Sequence, residues 1–389
     1  MIQIHNPANC SGCSACFSIC SHNAITMKPD ALGFLYPSVD TEKCVECGLC
    51  EKVCAFNEDY DKSLNLSQPL AFGARHKDMA EVATSRSGAA FIALSDYILE
   101  REGVVYGAGY AEHFRVVHKR AVTKERRDEF KGSKYVQSDL GNIFSQVKQD
   151  LKSGLTVLFS GTPCQTAGLH SYVGTKLRGN LILLDIVCHG VPSPYIWKDY
   201  LAYLEEKKGR KIMHVDFREK EICGWRAHKE GFRYHGAEDG FELKEHYTYL
   251  FYKHIMFRHS CGTCKYANLK RPSDITLADF WGWQKTHPTA NIDDKGLSLI
   301  LCNTNKGVQL FEAIKGRMNT FPAKIEDCMQ PNLESPSKIH DQRSAFELDY
   351  VRKGFRYILK RYGDKGWRYK VKCYVSKVKR LLKRLLKNI

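Results

Sequence analysis

Eight of the sixteen cysteines in this 389-residue chain form two runs with the same spacing near its start. Each run has the pattern C-x2-C-x2-C-x3-C, which binds a [4Fe–4S] cluster with three thiolates of one run and a fourth thiolate from the other. Zinc ligands come in pairs, and disulfide frameworks do not repeat a 2-2-3 spacing, so both alternatives are disfavoured. The predicted ligand sets are Cys10, Cys13, Cys16 with Cys54, and Cys44, Cys47, Cys50 with Cys20.

This crossed pattern predicts a two-cluster domain of the bacterial ferredoxin type over residues 1–60, a carrier of single electrons. Ser21 and Ala55 stand after the fourth cysteines, where bacterial ferredoxins usually carry proline. The change removes no ligand, so two [4Fe–4S] clusters remain the prediction.

The positive charge of the chain lies mostly in one segment. Residues 351–389 hold fifteen Lys or Arg and a single acid, Asp364, and so contribute +14 of the net charge of +16. Their apolar residues recur at steps of three and four, which predicts a basic amphipathic helix that lies on an anionic membrane surface or docks on a partner. The rest of the chain is almost neutral, which argues against a nucleic-acid partner.

Cysteine usage and apolar patterning indicate the compartment. The segment after Met1 lacks the regions of a signal peptide, and no apolar run approaches the ~18 residues of a membrane span. The other eight cysteines show no secreted-domain pattern. We therefore expect a cytoplasmic protein, with peripheral contact to the inner face of the membrane through the basic segment as the alternative.

The remainder of the chain is predicted as a mixed α/β body after a polar linker at 57–69. Residues 155–160 and 181–187 are continuously apolar, as in strands buried on both faces, and Cys164 and Cys188 follow them. Ligands bind at such carboxyl ends of strands in α/β sheets. Helices are also predicted at 88–101 and 306–316, and strands at 103–111, 212–217, 231–235, 241–252, 274–282 and 297–303. The expected fold class is α+β, comprising the ferredoxin domain, the mixed α/β body and the C-terminal helix.

A further pair, Cys261 and Cys264, has C-x2-C spacing. It permits a thioredoxin-like dithiol, although no βαβ pattern surrounds it. It also permits half of a cluster, with Cys164 and Cys188 as the other half, or buried structural cysteines. Because clusters pass single electrons and most metabolites change by two, a converter such as flavin is expected.

Several motifs in fixed order resemble one family. They are S-G-T-P-C-Q at 160–165, V-C-H-G-V-P-S-P at 187–194, the pair at 261 and 264, and D-I-T with D-F-W-G at 274–282. From Cys10 to about residue 335 the chain is similar to the coenzyme F420 hydrogenase/dehydrogenase beta subunit family, which includes ferredoxin-dependent hydroxymethyl chlorophyll reductases. The resemblance implies an iron–sulfur flavoprotein with bound FAD. Residues 70–150 would form the N-terminal region that contacts FAD, and residues 151–335 the C-terminal catalytic and cluster region.

The resemblance also implies site residues. Cys164, Cys188, Cys261 and Cys264 look like ligands of a third [4Fe–4S] cluster. The predicted FAD contacts are Ser85, Ser87 and Gly88 of a Ser/Gly-rich loop, Lys134 of a G-S-K-Y segment, and Thr162 beside Cys164.

A helix that starts after Gly88 would offer free amides to a pyrophosphate, although the same pattern is an ordinary helix cap. His189 and Asp279 are the candidates for proton handling at a reduced flavin, with a buried hydrogen-bonded role as the alternative for each. The expected function is electron transfer between clusters and a small-molecule two-electron substrate through FAD, with an external carrier such as ferredoxin as partner. A non-catalytic electron-transfer subunit or anchor, and a redox sensor using Cys261 and Cys264, are the alternatives.

Overall fold

The computed structural model describes residues 1–56, 62–236 and 241–363. Within these ranges the strands are β1 (Ile25–Pro29), β2 (Leu35–Val39), β3 (Asn65–His76), β4 (Val104–Tyr110), β5 (Val116–Ala121), β6 (Val157–Gly161), β7 (Leu181–Ile186), β8 (Ile212–Asp216), β9 (Glu230–Tyr234), β10 (Glu242–Lys244), β11 (Ile275–Asp279), β12 (Ser298–Thr304) and β13 (Met318–Ala323). The helices are α1 (Ala15–Ile19), α2 (Leu49–Lys52), α3 (Met79–Thr84), α4 (Ala90–Leu99), α5 (Lys124–Asp128), α6 (Ile143–Lys152), α7 (Pro163–Val173), α8 (Pro194–Lys208), α9 (His246–Tyr252), α10 (Trp283–Thr286), α11 (Asn305–Ile314), α12 (Ile325–Cys328), α13 (Pro331–Glu334) and α14 (Arg343–Tyr362).

The two cysteine runs fold into a small N-terminal unit. Each run contains one short helix, α1 or α2, and the two helices pack against each other. The chain between them forms the antiparallel hairpin of β1 and β2. The cysteine loops are therefore held by a pair of helices and a hairpin.

The body is built on an eight-stranded sheet with the order β13-β3-β12-β11-β7-β6-β4-β5. Its central strands β4, β6, β7 and β11 are parallel, and the outer pairs are antiparallel. Both continuously apolar segments are confirmed as strands, β6 and β7. Phe159 and Leu183 pack with α6 and α7, whereas Leu158 and Ile182 pack on the opposite side with α4 and α11. Because β6 and β7 are parallel neighbours, their carboxyl ends bring the segments of Cys164 and Cys188 to one edge of the sheet.

A second unit of the body packs β8, β9 and β10, an antiparallel three-stranded sheet, with α8, α9 and α14. The predicted strand over 241–252 is wrong beyond β10, because His246–Tyr252 is helical. Tyr247, Leu250 and Phe251 are buried there, at the spacing of one helix face. The aromatic and β-branched composition of this segment favours a strand locally, and packing of that face against the core decides for a helix.

The predicted linker and tail also differ from the structure in part. The linker prediction ends too late, since β3 already starts at Asn65 and lies between β12 and β13. Residues 351–362 belong to α14, where Phe355 and Ile358 are buried in the core with α8. The rest of the predicted amphipathic helix, 364–389, lies outside the described residues, as does 57–61 of the linker. In the described part of the chain no helix is long and apolar enough to cross a membrane.

Candidate functional site

The structure brings Cys10, Cys13, Cys16 and Cys54 together, as the spacing predicts. All four are buried. Burial, with smaller contributions from the neighbouring thiols of Cys54 and Cys10, raises the pKa of Cys13 to about 12. Burial and the same neighbours also raise the pKa of Cys16. The fourth member of this group comes from the second run, which is the predicted crossing.

The other crossed set, the Cys20 group, lines a separate cavity bordered by residues of the N-terminal unit. Cys20, Cys44, Cys47 and Cys50 border this space of about 380 Å³. The backbone N–H of Ile2 donates to Cys50 Sγ at 3.3 Å. Of the twelve predicted ligands, Cys47 alone is exposed.

The four predicted ligands of the body line one cavity of about 490 Å³, although they come from three separate segments. Cys164 lies in the first turn of α7, Cys188 follows β7, and Cys261 and Cys264 lie in the loop between α9 and β11. Burial raises the pKa of Cys188 well above its ordinary value, and the thiols of Cys261, Cys164 and Cys264 add to the effect. The backbone N–H of Val191 donates to Cys261 Sγ at 3.3 Å.

These three cysteine groups fit iron–sulfur clusters better than single ions. Their donors are soft thiols, which favour Fe–S clusters over hard cations. In the described residues no group of three or more His, Cys, Asp or Glu surrounds a point where one ion could sit. A cubane is larger than an ion and is bound at four separate iron corners, so its ligands stand apart around a cavity. Thiols with raised pKa values become thiolates when they coordinate iron.

The Cys10 group consists of Cys10, Cys13, Cys16 and Cys54, and the Cys164 group of Cys164, Cys188, Cys261 and Cys264. These two groups are neighbours across the junction of the N-terminal unit and the body. A Cβ on Gly168 of α7 would lie 2.8 Å from both Cβ and Sγ of Cys13, so only a glycine allows this approach. Ser11 lines the body cavity together with Cys164. The geometry therefore places two of the cysteine groups side by side, whereas the Cys20 group lines a separate cavity.

The predicted Ser/Gly-rich loop packs against the neighbouring strands β3 and β12. Ser87 Oγ donates to the Leu297 carbonyl at 2.8 Å, and the Gly88 N–H donates to Ser298 Oγ at 3.0 Å. The following helix α4 starts after Ala89, whose φ of +61° and methyl side chain provide no cap for the first turn. The ordinary serine cap is therefore absent here, and the first amides of α4 have no side-chain acceptor from the capping position.

A charged network joins this loop to Asp279, and most of its members were missed in the sequence. Arg86 donates to the carbonyls of Arg218, at 2.7 Å, and Trp225. Arg218 in turn forms an ion pair with Asp279, which also accepts from Trp225 Nε1 at 3.0 Å. The Nε–H groups of Arg86 and Arg218 are buried without an acceptor among the described residues. Lys220 donates to the carbonyls of Val82 and Ser85, at 2.6 Å for the latter.

Asp279 is held ionised by this network. Burial opposes its ionisation, but the charges of Arg218 and Arg86 outweigh burial and lower the pKa of its carboxyl. An ion-paired carboxylate is a poor proton donor at neutral pH. The geometry thus favours the hydrogen-bonded alternative for Asp279, as the group that orients Arg218.

His189 lies between the body cysteines and the charged network. It lines the cysteine cavity, and its ring is 6.4 Å from the ring of Tyr252. Burial lowers the pKa of His189, and the charges of His254 and Arg218 add to the effect, so the imidazole is neutral at pH 7. A neutral imidazole at this position can accept a proton, and the imidazolium so formed can donate it again.

Aromatic rings cover the network near Asp279. Trp225 and Trp281 stack with ring centroids 4.5 Å apart, and the ring of His228 stacks with that of Trp281 at 6.0 Å. Tyr252 is hydrogen-bonded to His228. Trp281 belongs to the D-F-W-G motif and Arg86 lies within the predicted Ser/Gly-rich loop, so their parts in the site could have been read from the sequence. Arg218 and His228 carry no such signal.

Two of the predicted flavin contacts have other neighbours. Thr162 Oγ1 lies 3.2 Å from Cys164 Sγ, and Thr162 caps α7 together with Gln165, so its hydroxyl contacts a predicted cluster ligand. Lys134 Nζ donates to the carbonyls of Glu129 and Lys131, each at 2.9 Å. Burial lowers the pKa of Lys134 to about 7, while the charge of Asp216 acts in the opposite direction.

Residues 9–57 match the family model of the 4Fe-4S dicluster domain. Residues 154–324 match the family model for the C terminus of the coenzyme F420 hydrogenase/dehydrogenase beta subunit. A chain of the F420-reducing [NiFe] hydrogenase complex from Methanosarcina barkeri, solved after xenon derivatization, is similar at 17% identity and a TM-score of 0.46, over 78% of this chain and 94% of that one. No curated relative matches the chain. Residues 154–324 are therefore similar to the C terminus of the coenzyme F420 hydrogenase/dehydrogenase beta subunit, and they follow a segment similar to a 4Fe-4S dicluster domain in the same chain.

Proposed function

We propose that this protein is an iron–sulfur flavoprotein oxidoreductase that transfers electrons between [4Fe–4S] clusters and a two-electron substrate through FAD. The observation that carries the proposal is the convergence of Cys164, Cys188, Cys261 and Cys264 on one cavity beside the Cys10 group. Three distant segments have no structural need to bring four thiols together. Thiols in such an arrangement are typical cluster ligands.

Each cysteine group would hold one [4Fe–4S] cluster. When bound, the clusters supply single-electron transfer, and FAD supplies the exchange between one and two electrons. The protein contributes burial of the ligands, backbone N–H donors such as that of Val191 to Cys261 Sγ, and the close packing of the two inner groups. Such donors and burial tune cluster potentials.

The charged network is the proposed flavin site. FAD carries a pyrophosphate, and a helix start with unsatisfied amides and buried guanidinium donors is the chemistry that binds this group. The first turn of α4 offers the amides, and Arg86 and Arg218 each offer a buried Nε–H without an acceptor in the described residues. The rings of Trp281 and His228 provide a stacking surface of the kind that a flat ring system requires.

His189 is the proposed proton-handling residue. It is neutral, it lines the cysteine cavity, and the charges of Arg218 and Asp279 act on it, so it lies within reach of both parts of the site. Asp279 positions Arg218 through their ion pair.

The Cys20 group is the proposed contact for an external electron carrier. Cys47 is exposed, and Val45 and Leu49 beside it are exposed apolar residues. Electron-transfer partners form small, transient interfaces, for which such a surface is sufficient.

Metal and flavin analysis of anaerobically purified protein tests the proposal. We expect iron and sulfide for three [4Fe–4S] clusters and one FAD per chain. Cys164→Ser and Cys261→Ser should each remove the iron of one cluster, whereas Cys302→Ser, a buried cysteine of β12, should not. Clusters without flavin would support the non-catalytic electron-transfer subunit. Iron for two clusters only, with thiol-dependent activity, would support the redox sensor.

The flavin site has its own test. Arg86→Met should lower the bound FAD with iron content unchanged, because Arg86 contacts none of the cysteine groups. Arg101→Met, which removes an exposed guanidinium from the ring of Tyr97, is the matched control and should keep its flavin. Equal FAD content in both variants would contradict this assignment of the flavin site.

A further inference from the structure

Arg258 is a fully buried cation at the junction of the N-terminal unit and the body. It lies between α9 and the loop of Cys261 and Cys264, and it lines the body cysteine cavity. Its nearest thiol is on the other side of the junction, where Nη2 lies 3.5 Å from Cys10 Sγ and donates to it. Arg258 therefore contacts one cysteine group and borders the other.

Arg258 differs from two other buried arginines, Arg127 and Arg271, in the groups that accept its hydrogen bonds. Arg127 pairs with Asp96 at 2.6 Å, and Arg271 pairs with Asp185 at 3.1 Å. Among the described residues no carboxylate lies within ion-pair distance of Arg258, whose donors go to carbonyls, an amide oxygen and a thiol. A buried cation without an anion costs several kcal/mol. Thiolates are the anions that this position offers.

The two cysteine groups share the charge of Arg258. Its guanidinium donates to Cys10 Sγ of one group, and its side chain lines the cavity that Cys164 and Cys261 of the other group also line. A cluster held by four thiolates is a net anion, so two clusters at these groups would supply the missing counter-charge from either side. An arginine between them would also offset the repulsion of the two anions.

Arg258 also fixes the first cysteine loop on the body. Its Nε–H donates to the Cys10 carbonyl at 2.7 Å, and Nη2 donates to the Leu35 carbonyl at 3.0 Å. Its Nη1 donates to Gln137 Oε1 at 3.1 Å, and Gln137 Nε2 donates to the Ser11 carbonyl at 3.0 Å. The guanidinium lies 4.0 Å from the ring centroid of Tyr36. A planar fork with several donors makes these contacts, and the single ammonium of a lysine does not.

We propose that Arg258 is a positioning residue that serves as the shared counter-charge of the clusters at the Cys10 and Cys164 groups and raises their reduction potentials. This inference rests on the proposed function. Reduction adds an electron to an already anionic cluster, so a nearby cation and a donor to a ligand sulfur stabilise the reduced form. Both effects come from the same side chain here.

Redox titration of the clusters, followed by electron paramagnetic resonance, tests the proposal on anaerobic full-length protein. In Arg258→Gln the ratio of reduced to oxidised cluster at a fixed potential should fall about tenfold, which is about 59 mV for a one-electron couple. Arg258→Lys keeps the charge and loses the fork, so its shift should be smaller and in the same direction. Arg127→Lys, a buried arginine remote from the cysteines, should leave the potentials unchanged.

The outcomes separate this inference from the proposed function. If Arg258→Gln fails to bind iron, the potentials of Arg258→Lys decide. Unchanged potentials in every Arg258 variant that retains its clusters would overturn the role of Arg258 alone. A wild-type protein without clusters at these cysteines would overturn the proposed function and this inference with it.

Discussion

The hydroxyl of Tyr266 donates a hydrogen bond of 2.7 Å to the carbonyl oxygen of Ala55, 211 residues earlier in the chain. Ala55 follows the last cysteine of the Cys10 group, and Tyr266 follows the C-x2-C pair of the body. Both are buried and pack together with Ala167 of α7. One hydrogen bond therefore ties the polypeptide beside one cysteine group to the polypeptide beside the other.

Tyr266→Phe should destabilise the junction of the N-terminal unit and the body. It leaves the buried Ala55 carbonyl without its donor, which costs about 1–3 kcal/mol. We expect a lower midpoint of urea unfolding and faster loss of iron under chelator, with unchanged flavin content. Tyr97→Phe, whose ring packs on Arg101, is the matched control and should behave as wild type. Identical chelator kinetics in wild type and Tyr266→Phe would show that the hydrogen bond does not hold the junction.

Gly168→Ala should separate α7 from the first cysteine loop. The added methyl group would meet Cys13 Cβ and Sγ at 2.8 Å, and overpacking of this kind costs about 1–3 kcal/mol. Iron analysis should reveal loss of cluster from the Cys10 group. Gly179→Ala meets no atom within 4 Å and is the control, with wild-type stability and iron. Full iron and unchanged stability in Gly168→Ala would mean that the two units do not approach as closely as the structure describes.

The half-buried ammonium of Lys134 predicts a pH dependence of stability. Burial lowers its pKa from 10.5 to about 7, with opposing contributions from Asp216 and Glu129 and a supporting one from Lys119. Between pH 7 and 10.5 the unfolded chain therefore binds more protons than the folded one, and folding stability rises with pH. Below pH 7 both forms are protonated and the destabilisation is fully present.

Lys134→Met removes this titration, so the stability of wild type relative to the variant should rise between pH 7 and 10, by less than about 1.4 kcal/mol per pH unit. Urea unfolding at several pH values measures the difference. Lys360→Met, at an exposed lysine of α14, should keep the wild-type slope. Parallel pH profiles for wild type and Lys134→Met would contradict the lowered pKa.

The basic C-terminal segment is predicted to bind membranes. Deletion of residues 367–389 should leave electron transfer to a soluble dye unchanged, because α14 and the cysteine groups remain intact. The same deletion should abolish binding to anionic liposomes, and wild-type binding should weaken with added salt. A truncated protein that still binds liposomes would remove the anchoring role and leave docking on a partner as the interpretation of this segment.

Local spacing made the cysteine loops predictable. The ligands of each run are separated by two or three residues, so the order of residues alone nearly fixes which thiols can share a cluster. Strands β6 and β7 were equally clear, because both of their faces are covered and their sequences are continuously apolar. The helical conformation of α9 could not be predicted in this way, because it depends on the core against which its aromatic face packs.

The sequence by itself determined the thiol groups, the buried parallel strands and the family model that residues 154–324 match. The tertiary structure alone decided that Arg258 contacts Cys10, 248 residues away, and that Arg218 pairs with Asp279 while Arg86 donates to the Arg218 carbonyl. The physical reason is the separation along the chain of the residues that interact. Ligand spacing and apolar runs act between close neighbours in the chain, whereas a buried charge finds its partner only when the two units have packed together.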